Sequence, residues 1–306
     1  MTRKRVSEIS ALNVLFCLLV IFIHVVSYVL VLLPKRTVGY TMLMLPWRLS
    51  TFVVQGFVFL SGLKLFLNNS QRGYIKHLKT RFIGIVLPYT LCFVIYYVYF
   101  MICYDYKLDP VFIFKNYISG NLVYHLYFIP IILQFDLLLP LWKKIINRYS
   151  PLVIIPFAVI VTILCERYLP SIIGLAFPNF VFKFNDRFFL TYLSFWIIGC
   201  YAGKNYESFC RLIKENFSVI WKIFVACLVL TGILCCVAYN EIASVSSLNT
   251  VHYMYVLSAI VFFYALVLKI PRGVVENNKL ILRIDKYSFY IYLYHVLILM
   301  LVTSLL

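Results

Sequence analysis

Residues 9–33 read ISALNVLFCLLVIFIHVVSYVLVLL, a run without a single Lys, Arg, Asp or Glu. About twenty apolar residues carry an α-helix across the hydrocarbon core of a bilayer, so this run is long enough to span one. Met1-Thr-Arg-Lys-Arg5 precedes it, which mimics the basic start of a signal peptide. The run is too long for a signal peptide and no small-residue cleavage site follows it, so it is expected to stay in place as a first membrane span.

The rest of the chain repeats that pattern. Of 306 residues, 63% are hydrophobic and 13% charged, and the mean hydropathy is +0.93. A soluble domain carries roughly half apolar and a quarter charged residues, so the excess is explained by lipid acting as part of the solvent. Apolar runs fall at 9–33, 50–66, 82–103, 122–142, 152–165, 188–202, 219–239, 251–268 and 287–306. They predict an all-α, polytopic helical bundle of nine spans, or ten if 104–121 or 166–187 holds another helix. No long soluble gap, low-complexity tract or internal repeat interrupts them, so residues 1–306 are read as one domain.

With the N-terminus placed in the cytoplasm, the inner gaps hold nineteen Lys and Arg and the outer gaps eight. Each inner gap is basic: Arg3 to Arg5, Arg72 to Arg81, Lys143 to Arg148, Lys204 to Lys222 and Lys269 to Lys286. That bias fits the positive-inside rule and predicts a multi-pass cell-membrane protein with a cytoplasmic N-terminus. An odd number of spans puts the C-terminal end outside.

Two other classes are set aside. The net charge of +17 is dispersed in short gaps between apolar runs instead of forming one soluble basic face, which argues against nucleic acid. The nine cysteines lie mostly inside apolar runs with no C-x-x-C spacing, so neither a disulfide framework nor a metal site is expected.

An ionisable side chain at mid-bilayer costs roughly 2.5–3.5 kcal/mol, so polar residues inside spans are candidates for function. Asn13 and His24 are eleven residues apart, three helical turns, and share a face of span one with Cys17 and Val20. A neutral His serves as general base for a hydroxyl, or donates to a carbonyl in helix packing. Asp285, Ser288, Tyr292 and His295 are spaced three, four and three apart and form a polar stripe on the last span, either a site or a seam between helices. His125, in Tyr124-His125-Leu126-Tyr127, opens span four and reads as an interfacial anchor. Asp136, beside Gln134, suits pairing with a basic group, in a site or as the glue between two helices. Arg48 is expected at the outer mouth of span two, to hold an oxygen ligand or to snorkel to the interface. Lys76, Lys79 and Arg81 form a basic loop suited to coenzyme A phosphates, though such loops are equally topology signals.

In their order along the chain, these pieces resemble the acyltransferase 3 family of integral-membrane O-acyltransferases, including its branch that acetylates or succinylates surface polysaccharides. The stretch Ser10 to His24 is similar to the family's opening helix, in which an Arg stands eleven residues before a His; Asn13 takes the place of that Arg. Phe57 to Gly62 is similar to a Phe-Phe-x-x-Ser-Gly-Phe segment. Arg81 to Tyr89 resembles an Arg-x-x-Arg pair followed by Pro-Tyr, with Gly84 for the second Arg. His125-Leu-Tyr127-Phe128 resembles His-x-Trp-Phe. Phe195 to Gly203 is similar to the glycine-bearing middle helix, and Ser288 to His295 to a closing Ser-Phe-x-x-Tyr-Leu-x-His.

The resemblance implies an acyl group taken from cytoplasmic acyl-coenzyme A, a donor substrate, and passed to a hydroxyl of a glycan or glycolipid at the cell surface, with no metal and no nucleic acid. It casts His24 as the catalytic base, helped by Arg48 and Asn13, and Arg81, Lys79 and Lys76 as donor-binding residues. His125, Ser288, Tyr292 and His295 are further candidates. A transporter or flippase lined by the same polar residues is the alternative, as is a catalytically silent membrane module. Acyl-coenzyme A binding separates the enzyme from both.

Overall fold

The computed structural model describes residues 6–67, 73–177 and 184–304, of which no residue is in a strand. Arg3, Lys4, Arg5, Arg72 and Lys183 lie outside the described residues. The chain is 84% helical, the all-α class its apolar runs imply.

In chain order the helices are α1 (Ser7–Leu32), α2 (Val38–Ser50), α3 (Val53–Leu67), α4 (Tyr74–Arg81), α5 (Leu87–Tyr104), α6 (Pro110–Ser119), α7 (Phe128–Leu137), α8 (Leu139–Arg148), α9 (Pro151–Ala176), α10 (Leu193–Lys204), α11 (Tyr206–Glu215), α12 (Phe217–Tyr239), α13 (Leu248–Val267), α14 (Arg272–Glu276) and α15 (Lys279–Thr303). Side-chain caps begin several of them. Thr37 accepts from the Tyr40 N–H, Asp109 from Val111 and Phe112, and Ser150 from Leu152. Each satisfies a donor that the first helical turn leaves open.

Among the described residues, seven helical stretches are long and apolar enough to cross a membrane: Ser7–Leu32, Val38–Leu67, Tyr74–Tyr104, Pro151–Ala176, Phe217–Tyr239, Leu248–Val267 and Lys279–Thr303. The two remaining runs are shorter than expected. The run at 122–142 breaks at Leu138, because Pro140 lacks an N–H and restricts the residue before it. The run at 188–202 opens with a 3₁₀ turn, Phe189–Tyr192, and only then becomes the twelve-residue α10. In contrast, α9 continues past the expected end of span five, through Pro170 to Ala176.

The π-helical turn Phe82–Val86 joins α4 to α5 and makes Tyr74–Tyr104 one span. Pro88 has no N–H to give the Gly84 carbonyl, and a widened turn accommodates the missing bond.

The chain divides into two packed units. Unit 1 is Met1–Leu60 with Asn205–His295, and unit 2 is Ser61–Lys204 with Val296–Leu306. Helices α3 and α15 contribute residues to both.

In unit 1, α12 and α13 pair through stacked Phe224 and Phe262, 4.1 Å between ring centroids. Helix α1 packs on α2, α13 and α14. It meets α15 at two levels. Asp285 accepts from Ser10 and Asn13, and further along both helices the His24 and His295 rings lie 5.0 Å apart. The matching advance along α1 and α15 makes them parallel, so they cross the bilayer in the same sense.

In unit 2, α3 and α10 approach through glycine. A Cβ on Gly203 would lie 2.2 Å from the Leu63 carbonyl oxygen, and one on Gly62 would lie 2.6 Å from that of Trp196. Such backbone proximity is how small residues hold membrane helices together. Phe135 stacks on Trp196 at 4.4 Å beneath this contact, and the buried Thr162 hydroxyl of α9 accepts from the Ser194 N–H at 3.0 Å.

Candidate functional site

Unit 1 carries most of the polar residues singled out by the sequence. Asn13, Cys17 and Val20 are buried along the α1 face that leads to His24. Asn13 donates its amide to Asp285 Oδ1 at 2.7 Å, and Ser10 donates to Oδ2 at 2.8 Å. A partly buried carboxylate is therefore held by two neutral donors, one of them on the residue that stands in the place of an Arg. Ser288 turns back to the Asp285 carbonyl at 3.0 Å, which fixes the start of the polar stripe on α15.

At the far end of that stripe, His295 Nδ1 lies 2.8 Å from the Tyr292 carbonyl oxygen and 3.1 Å from that of Ile291. A carbonyl only accepts, so Nδ1 carries the proton in the neutral ring and Nε2 is left as the acceptor nitrogen. Tyr292 sits beside His295, with ring centroids 6.3 Å apart, and stacks on Phe289. The spacing of Asp285, Ser288, Tyr292 and His295 thus does place them on one face, and that face meets α1.

Arg48 differs from expectation. It stands inside the continuous stretch Val38–Leu67 and not at its mouth. Pro46 and the polar Arg48-Leu49-Ser50-Thr51 read as a gap in sequence, yet Ser50 and Thr51 return their hydroxyls to the Pro46 and Arg48 carbonyls at 2.7 Å each. Those bonds occupy carbonyls that the break between α2 and α3 would otherwise expose. Beside Arg48 lie Cys235, Tyr239 and His252. His252 escaped the sequence reading because it opens span eight, where a His passes for an interfacial residue.

Unit 2 holds the basic loop. Arg81 Nε donates to Asp136 Oδ1 at 3.0 Å, and His77 Nε2 shares that oxygen at 2.9 Å. Asp136 is 1% exposed, so the basic partner its depth demanded is supplied twice. Lys76 and Lys79 point away into the open, while Arg81 is partly committed to Asp136. His77, between Lys76 and Lys79 in that loop, is a residue the sequence reading passed over. His125 is 3% exposed and edges against Tyr96 at 5.8 Å between centroids, so it is a core residue and not an interfacial anchor. Tyr96 in turn accepts from the Leu297 N–H at 2.7 Å.

With this geometry in view, comparisons with known proteins agree. The acyltransferase 3 family, described as an acyltransferase domain, matches residues 6–306. A relative from Bacillus subtilis (strain 168), named "Putative membrane-bound acyltransferase YfiQ", is 24% identical over 304 residues, covering 95% of this chain and 80% of its own length. No solved structure matches. The chain belongs to the acyltransferase 3 family and is a multi-pass membrane acyltransferase.

Proposed function

We propose that the chain is an O-acyltransferase of the cell membrane, with its N-terminus in the cytoplasm, which moves an acetyl or succinyl group from cytoplasmic acyl-coenzyme A to a hydroxyl of a cell-surface or envelope glycan. One observation carries the reading: His24 and His295 lie ring against ring inside unit 1, anchored below by Asn13, Ser10 and Asp285.

In this reaction His24 takes the proton of the acceptor hydroxyl. The freed oxygen forms a bond to the thioester carbon, the carbon–sulfur bond breaks, and the proton on His24 passes to the departing thiolate. His295 is a positioning residue. Its Nδ1–H is tied to backbone carbonyls, which fixes the ring beside His24 and turns a neutral face toward the imidazolium that forms. Lys79 and Lys76, with Arg81, hold the donor's phosphates. Arg48 steadies the acceptor oxygen.

The test is transfer from labelled acetyl- and succinyl-coenzyme A to extracted envelope glycan, comparing the purified protein with His24→Ala at matched folding. Loss of a general base removes about 10²–10⁴-fold in rate. Equal transfer by both proteins removes His24 from the chemistry. No transfer and no coenzyme A binding by either sinks the enzyme reading.

A further inference from the structure

Unit 1 contains a second set of buried polar atoms, outside the His24–His295 pair, whose hydrogen-bond roles can be assigned atom by atom. Thr51 Oγ1 donates its only proton to the Arg48 carbonyl at 2.7 Å. It also lies 3.2 Å from His252 Nε2. Its proton being spent, Thr51 must accept there, so Nε2 carries the hydrogen of the neutral His252 ring. Nδ1 is then a lone-pair acceptor. His252 is 8% exposed, and Nδ1 is buried with no hydrogen-bond partner among the described residues.

One more atom shares this condition. Arg48 Nε, a donor, is buried without a hydrogen-bond partner among the described residues. Thr51 joins the two residues, donating to the Arg48 carbonyl and accepting from His252, and among the described residues no carboxylate pairs with the Arg48 guanidinium. A buried donor or acceptor left open costs about 1–3 kcal/mol, so the two together mark a site that a ligand completes.

The sign of the two atoms selects the ligand. A carboxylate or phosphate would satisfy Arg48 and set its lone pairs against that of His252. A hydroxyl accepts from Arg48 and donates to His252 with the same oxygen. We infer that Arg48 and His252 form a seat for a hydroxyl group of an uncharged polyol, of which His252 is the residue that reads the hydroxyl proton.

The seat also stands at the right height. Trp47 donates to Ser27 Oγ at 2.9 Å, and Ser27 donates to the Ile23 carbonyl at 2.7 Å. This ties the residue before Arg48 to the turn of α1 that carries His24. The seat is therefore level with the base, and on the proposed function, on which this assignment rests, it presents the acceptor sugar.

The experiment uses the full chain in lipid nanodiscs with extracted envelope glycan as acceptor. His252→Leu raises the KM for glycan about tenfold or more and leaves that for acetyl-coenzyme A unchanged. His252→Asn, which keeps an acceptor near the Nδ1 position, restores most of the loss. If His252→Leu does not fold, Thr51→Val, which takes away the acceptor of the Nε2 proton, is read for the same split in KM. Unchanged glycan KM, or equal rises for both substrates, overturns the seat.

A binding readout separates failure of the seat from failure of the reaction. In ¹⁵N-histidine-labelled protein, glycan shifts the His252 Nδ1 resonance and succinate at the same concentration does not. If no acyl transfer occurs but that shift does, the seat stands and the acyltransferase chemistry falls. A shift with succinate alone, or with neither, overturns the seat whatever the activity.

Discussion

Asn13 Nδ2 donates to Asp285 Oδ1 at 2.7 Å, joining residues 272 positions apart in the sequence. The same carboxylate is closed on its other side by Ser10 at 2.8 Å. Hydrogen bonds to a charged group contribute about 1.5–3 kcal/mol. Asn13→Ala and Asp285→Ala should each lower stability by that order, and the double variant should lose less than their sum by about 1 kcal/mol or more. Thermal unfolding of the four proteins in matched detergent measures the coupling. Strict additivity would mean that the bond contributes nothing.

The Asp136 carboxylate gathers the His77 and Arg81 side chains onto one oxygen. Asp136→Ala strands His77 and Arg81 beside a buried wall, and a fall in stability of about 1–3 kcal/mol is expected. Because Asp136 is buried, the loss should change little between low and high salt. A difference that vanishes in high salt would place the pair at the surface.

Gly84 is exposed, and a Cβ there meets nothing within 4 Å. Nothing in the fold therefore excludes the second Arg that the resemblance puts at this position. Gly84→Arg should fold as well as the parent and lower the KM for acyl-coenzyme A several-fold, since each added cation near a phosphate contributes a charge-assisted bond. A KM that rises or stays fixed would remove this loop from donor binding.

Outside the spans, Lys35 forms an ion pair with Glu241. The hydrogen bond to Lys35, then its charge, holds the Glu241 carboxyl below its usual range, and the hydrogen bond and charge of Glu241 raise Lys35. The Glu241 contribution is thus present above the unfolded carboxylate pKa and fades as pH falls through the lowered folded value. The Lys35 contribution is full below the unfolded ammonium pKa and fades as pH rises through the raised one. Both groups are exposed, so the effect is small and screened by salt. Lys35→Ala should flatten the acid limb of the unfolding midpoint against pH in low salt only.

The parallel run of α1 and α15 requires that Ser7 and Thr303 lie at opposite membrane faces. Impermeant maleimide applied to cysteines introduced at Val6 and Ser304 of a variant lacking the native exposed Cys103 should label them from opposite sides. Labelling of both from one side would contradict the register of the two helices.

Much of this was legible from spacing alone. Apolar runs define helices because lipid demands it, and the three, four, three rhythm of Asp285, Ser288, Tyr292 and His295 sets a polar face on any helix. The partner of that face was not legible, because parallel contact between the first and last helices leaves no local signal. Arg48 was misplaced because a break satisfied by Ser50 and Thr51 hydroxyls looks, in sequence, like the end of a span. His125 and His252 share one cause. Each begins an apolar run, and the sequence gives no sign of whether the start of a run meets headgroups or neighbouring helices.

The pairing of His24 with His295 bears on how the protein is made. His24 is synthesised before α2 to α14 and His295 after them, so a growing chain that has passed α1 but not reached α15 holds one histidine without the other. Helices α2 to α14 must be made before His24 acquires its neighbour. The growing chain therefore carries no assembled histidine pair until α15 is made, and on the proposed mechanism a product shortened before α15 would be inert.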